Sequence, residues 1–147
     1  MTSPPPDEVA RRSAEAMWAG DRASQGLGME IVDVGPGRAT MRMTVRADMV
    51  NGHAIGHGGL TFTLADSAFA FACNSHGPAT VAAAVAIDFL APARAGDVLT
   101  AVARERWLGG RAGLYDLTVT RADGVTIAHA RGRSHRLRAP VTTEERP

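Results

Sequence analysis

The chain has 147 residues, 45% hydrophobic and 21% charged, with 16 basic against 15 acidic side chains and a formal net charge of +1. Those figures suit one globular domain, argue against disorder, and give no general attraction to nucleic acid. All 16 basic residues are arginine, which excludes lysine Schiff-base chemistry and the phosphate-gripping lysine of a P-loop; the single cysteine, Cys73, excludes an intrachain disulfide.

Met1 to Asp7 is proline-rich and has neither the basic nor the apolar region of a secretory signal, so a cytoplasmic location is expected. Residues 7–18, DEVARRSAEAMW, read as a short amphipathic helix with Asp7 and Glu8 near its positive end. Met29 to Val34, followed by Gly-Pro-Gly, reads as the hairpin partner of Arg38 to Arg46. That second segment alternates, with Ala39, Met41, Met43 and Val45 on its apolar face. A loop rich in Gly and His, Asn51 to Gly59, leads into a long apolar helix from Leu60 to Cys73. Its apolar positions cover most of the circumference, so this helix should be nearly engulfed. Thr63, Asp66, Ser67 and Asn74 fall on one narrow polar seam.

In Thr80 to Leu90, Val81, Val85, Ile87 and Phe89 alternate with Ala82, Ala84 and Ala86. Two apolar faces predict a central strand, with the alanine side turned to the helix. Further strands are expected at Asp97 to Trp107, Leu114 to Arg121 and Val125 to Leu137, with turns at Gly109-Gly110 and Asp123-Gly124. The expectation is an α+β domain, five or six antiparallel strands around one long helix. Its organisation is an N-terminal segment at 1–22, the main domain at 23–138 and a solvated tail at 139–147. A single sheet curled round one helix leaves its outer face and edges poorly covered, which favours pairing with a second copy.

The stretch most informative about chemistry is NGHAIGHGGLTFTLAD, from Asn51 to Asp66. Helix N-termini carry unpaired N–H groups and positive partial charge. Gly58 and Gly59 remove side chains there, so a carbonyl oxygen could approach the backbone as an oxyanion-stabilising site requires. Glycines also break helices for purely structural reasons, and both readings stand at this level. Asp66 is costly inside an apolar helix, and no arginine sits three or four residues away, where Phe62, Thr63, Phe69 and Ala70 lie. It needs a tertiary partner, water, or a function that uses a carboxylate of raised basicity.

His53 and His57 are four apart, but the intervening and following glycines disfavour a zinc-binding helix, and no metal is expected. Cys73 lies on an apolar face unsuited to a nucleophile. His129 reads as a half-buried strand residue. On the last strand, Arg131, Arg133, His135, Arg136 and Arg138 read either as a solvated strand end or as a cradle for phosphate oxygens.

NGHAIGHGGLTFTLADSAFAFACNSHG, then AIDFLAPARAGDVLTA, then ARGRSHRL resemble the PaaI-type phenylacetic acid degradation thioesterases of the hotdog-fold superfamily, in order over roughly residues 10–138. The resemblance implies a hotdog fold that pairs through continuous sheets into a homodimer or homotetramer, with active sites at the subunit interface. It implies that Asp66 is the catalytic carboxylate, that Gly58 supplies the oxyanion N–H, and that Asn51 and His57 place water and thioester. Gly59, Arg133 and Arg136 are the candidate substrate-binding residues. Some animal relatives carry an orienting serine on the next strand, where Ala82 stands here. The implied activity is hydrolysis of phenylacetyl-CoA or hydroxyphenylacetyl-CoA, without a cofactor, nucleic acid or membrane. A hotdog hydratase or dehydratase and a non-catalytic acyl-CoA-binding module are the rival readings. Asp66 as general base and as nucleophile both fit the residues.

Overall fold

The computed structural model describes residues 2–141. Three helices and six strands follow one another as α1 (Pro6–Gly20), α2 (Arg22–Gly26), β1 (Glu30–Gly35), β2 (Arg38–Thr44), α3 (Gly58–Cys73), β3 (Pro78–Phe89), β4 (Val98–Gly109), β5 (Ala112–Arg121) and β6 (Thr126–Pro140), with a short 3₁₀ turn at Ala47–Met49. The strands form one antiparallel sheet in the order β1-β2-β4-β5-β6-β3. The β4–β5 connection turns at Gly110 and the β5–β6 connection at Gly124, both with positive φ, as Gly109-Gly110 and Asp123-Gly124 predicted.

The sheet wraps α3. Leu64, Ala65, Ala68, Phe69, Phe71 and Ala72 of the helix are buried against Ala39, Met41 and Met43 of β2, Leu99, Ala101 and Ala103 of β4, and Tyr115, Leu117 and Val119 of β5. Small residues let helix and sheet approach closely. A Cβ on Gly132 would lie 2.9 Å from the Phe69 ring, and that ring meets Tyr115 edge-on at a centroid distance of 5.2 Å. α1 belongs to this body: Ala10, Ser13 and Ala14 are buried, and Trp18 packs on Phe71. The N-terminal segment is therefore a packed layer.

Three expectations need correction. β3 is not central but the last strand, hydrogen-bonded only to β6. Its larger side chains, Val85 and Ile87, pack on the core, while Ala82, Ala84 and Ala86 are exposed. Helix proximity is supplied from β2, β4 and Gly132 instead, so the alanine side of β3 is left outward. The tail expected from Ala139 begins later, because β6 runs to Pro140 and the Val141 N–H donates to the Gly77 carbonyl. Residues 142–147 of that tail lie outside the described residues. His129 is exposed on the outer face rather than half-buried.

Among the described residues, no helix is long and apolar enough to cross a membrane. Gly132→Ala should overpack the Phe69–Tyr115 contact and lower stability by about 1–3 kcal/mol, read as a reduced urea midpoint at unchanged slope.

Candidate active site at the entrance of the central helix

Asn51 opens the loop that leads to α3 and organises it. Its Oδ1 accepts from the His53 N–H at 2.9 Å and the Ile55 N–H at 3.3 Å, its own N–H donates to the Ile55 carbonyl, and its carbonyl accepts from Ala54. Ala54 sits at φ 57°, a strained conformation for a side chain with a Cβ, held by that turn. The Asn51 oxygen is thus committed to the loop, and only its NH₂ is left to face a ligand.

His57 caps the helix. Its Nδ1 accepts from the Gly59 N–H at 3.0 Å, and its carbonyl accepts from Leu60 and Thr61. A ring nitrogen that accepts carries no proton, so the neutral ring bears its hydrogen on Nε2, an outward donor beside the helix entrance. Gly59 is exposed, with its N–H spent on the cap; a Cβ there would meet the His57 ring at 3.2 Å. Gly58 differs. Its N–H finds no acceptor among the described residues, and it is half-buried under Phe89, whose ring would lie 3.2 Å from a Cβ at position 58. The helix therefore ends in one free, positively polarised N–H with no side chain over it.

Two apolar clefts flank this entrance. One, of about 430 Å³, is lined by Gly58, Thr61, Phe89, Leu90 and Ile127 among others; the second, of about 300 Å³, runs past Met49, Val50, His57 and Leu60. The Gly58 N–H opens beside the first, apolar cleft, while the second is bordered by Asp48 and His57; an N–H so placed suits a ligand with a polarisable carbonyl and an apolar arm. Neither Phe89 nor Thr61 stands out in the sequence, since one ends an ordinary strand alternation and the other lies off the polar seam.

The seam itself resolves residue by residue. Thr63 Oγ1 donates to the Gly59 carbonyl at 2.8 Å, and Ser67 Oγ is 2.8 Å from Ser24 Oγ, which donates to Asp21. Asn74 ties the end of α3 to β3 through the Thr80 backbone. Each is occupied with holding the fold, so the seam gives Asp66 no partner. Asp66 makes no hydrogen bond or ion pair among the described residues, and burial pushes its carboxyl above the ordinary range. Burial also pushes the Cys73 thiol up to about 12, which leaves it protonated and inert.

The arginines are not brought together. Arg136 shares the inner face with Cys73, Tyr115 and Ser134, beyond the far end of α3, whereas Arg133 is exposed on the outer face. They form no joint cradle within one chain. Arg131 is tied to Asp116 at 2.9 Å.

The thioesterase superfamily model matches residues 53–128, from the loop before α3 through the start of β6. The chain belongs to the thioesterase superfamily. It is 47% identical over 135 residues to the acyl-coenzyme A thioesterase PaaI of Escherichia coli K12, covering 92% of this chain and 96% of that protein. The solved structure of the E. coli PaaI protein from the phenylacetic acid degradation operon superposes with a TM-score of 0.91 at 45% identity, covering 92% of this chain and 99% of that one. A Thermus thermophilus structure superposes at 0.77 with 38% identity, covering 80% and 98%. The fold is the hotdog type of this superfamily.

An unpaired, partly dry carboxylate lowers the stability of the folded chain. Burial raises the folded-state pKa of Asp66 above its unfolded value, so the stability linked to its proton is present at low pH and lost as pH rises through the folded pKa. Asp66→Asn should therefore leave Tm at pH 7 unchanged or higher, with the gap closing under acid conditions. A Tm lowered at pH 7 would show that the carboxylate has a stabilising partner.

Proposed function

We propose that the protein is an acyl-CoA thioesterase that hydrolyses arylacetyl thioesters, phenylacetyl-CoA or its ring-hydroxylated forms, to the free acid and CoA. The carrying observation is the pair of unsatisfied groups on one helix: the Gly58 N–H at its entrance and the Asp66 carboxylate two turns inside. The arylacetyl preference rests on similarity to the E. coli protein and on the phenylacetic acid degradation operon that encodes it.

Gly58 N–H polarises the thioester carbonyl and holds the oxyanion of the tetrahedral intermediate, with His57 Nε2–H as a second donor at the rim. Asp66 removes a proton from water as that water attacks the carbonyl carbon. The intermediate then collapses, the C–S bond breaks, and the proton passes to the departing thiolate. A raised pKa favours this role, because a more basic carboxylate is the better general base.

Geometry within one chain separates the two groups. Asp66 follows Gly58 by more than two turns of the same helix, about 12 Å along the axis, too far for one carbonyl carbon and its attacking water. A second copy supplies the missing half: Gly58 of one chain works with Asp66 of the other. Support for pairing comes from β3, twelve residues of edge strand with Val81, Phe89 and the neighbouring Leu90 exposed. The assembly is a homodimer or a homotetramer built from it, acting in the cytoplasm where acyl-CoA is made. Arg133 and Arg136 stay candidate contacts for CoA phosphates, acting separately.

Asp66→Asn should lower kcat at least about 100-fold in assays of thiol release. Gly58→Val should be similarly impaired. An equimolar, subunit-exchanged mixture of the two should recover about a quarter of wild-type activity, because half the dimers are mixed and each mixed dimer holds one intact site. No recovery despite exchange would place both groups in a single-chain site.

A further inference from the structure

Among the described residues, the chain adopts positive φ with glycine at Gly28, Gly37, Gly77, Gly96, Gly110 and Gly124, and with a side chain only at Ala54, φ 57°. A Cβ in that region crowds the backbone, and such strain persists only where the surrounding structure over-determines it. Here the surrounding structure is Asn51. The Ala54 N–H donates to the Asn51 carbonyl at 3.0 Å, and the left-handed step at Ala54 then turns the chain back. Ile55 returns to Asn51 twice: its carbonyl accepts from the Asn51 N–H at 2.8 Å, and its N–H donates to Asn51 Oδ1 at 3.3 Å. The His53 N–H donates to the same oxygen at 2.9 Å. Past the loop, the Gly56 N–H donates to the Ala93 carbonyl at 2.7 Å and the His57 N–H to the Met49 carbonyl at 2.8 Å, so the return that begins at Ala54 ends at the first turn of α3.

We propose that Ala54 is a positioning residue for hydrolysis: its left-handed turn keeps the Asn51 amide oxygen bonded inside the loop, so that the Asn51 NH₂ is presented to the attacking water. It rests on the thioesterase reading of the same site. Rotation at Ala54 to an ordinary negative φ would carry Ile55 away and break both of its bonds to Asn51, leaving Oδ1 with the His53 N–H alone. An amide held by one donor can turn about its last side-chain torsion and exchange oxygen for NH₂, whereas two donors on one oxygen fix it. The Ala54 side chain is exposed and carries no polar atom, so its effect on the chemistry passes through Asn51. The strain is kept at the position where the orientation of a donor depends on it.

The test compares thiol release from phenylacetyl-CoA and its ring-hydroxylated forms by purified wild-type protein, Ala54→Val, Ala54→Asn and Ala54→Gly. A β-branched side chain is excluded from the left-handed region more strongly than alanine, whereas asparagine and glycine enter it readily. Ala54→Val should lower kcat and kcat/KM together, roughly 10-fold, the pattern of an interaction made only in the transition state. Ala54→Asn and Ala54→Gly should keep wild-type values. Should Ala54→Val not fold, Ala54→Leu makes the same comparison. In an Asn51→Ala background, Ala54→Val should cost no further activity, because the group it orients is gone. Exchange of the His53 and Ile55 amide hydrogens should quicken in Ala54→Val and not in Ala54→Asn, and this decides the matter if Asn51→Ala leaves too little turnover to measure. Wild-type kcat in Ala54→Val, equal losses in all three Ala54 variants, a full second loss on top of Asn51→Ala, or unchanged exchange in Ala54→Val would overturn the role of Ala54 while leaving the thioesterase reading intact. Absence of thiol release by wild-type protein would overturn the proposed activity and this inference with it.

Discussion

Burial of α3 is the constraint from which the rest of the molecule follows. A helix carrying Leu60, Phe62, Leu64, Phe69 and Phe71 offers water only a narrow polar seam, so the sheet must curve round the rest of it. Curvature demands close approach, and close approach demands small residues: Ala39, Ala101 and Ala103 in the strands, and Gly132 beneath Phe69. Larger side chains at those positions would push the sheet away and open gaps that a close-packed interior does not tolerate.

The same enclosure makes the site. An engulfed helix delivers its first turn to a fixed place, so the free N–H at its entrance, the proposed oxyanion donor, is preorganised by the core rather than by a mobile loop. His57 consumes one of those groups in capping, which leaves Gly58 as the free donor and sets the tautomer that puts a second N–H at the rim. Enclosure also strips water from Asp66. The seam residues that flank it, Thr63, Ser67 and Asn74, each satisfy a backbone or side-chain group elsewhere, so the carboxylate alone is left unpaired. Stability is given up at the position where the proposed mechanism needs a base.

Much of this was legible in the chain. The β2 alternation, the two glycine turns, the apolar helix and the isolation of Asp66 are local patterns, and the structure reproduces each because nearby residues decide them. The free N–H at Gly58 was foreseeable from the glycines, since helix termini always leave such groups. Asn51 was legible as the residue that opens the loop, whereas only coordinates show its oxygen bonded to the His53 and Ile55 N–H groups. Arg133 and Arg136 looked like a pair in sequence; the pleat and the strand path put them on opposite faces. α2 escaped notice because five residues carry too little periodicity to read.

What the sequence determined by itself was the type of each long element and the chemistry of its special residues, since side-chain periodicity, turn glycines and an unpaired acid act over a few neighbouring positions. Tertiary structure alone decided strand order, and with it the position of β3. Two apolar faces pointed to a central, buried strand, but the chain gives β3 a single neighbour and leaves most of it exposed, and which edge is left over depends on the pairing of all six strands. It also decided that Phe89 would cover Gly58 and that the Thr61 hydroxyl would face an apolar cleft. Those contacts join residues far apart along the chain, and no local pattern encodes them.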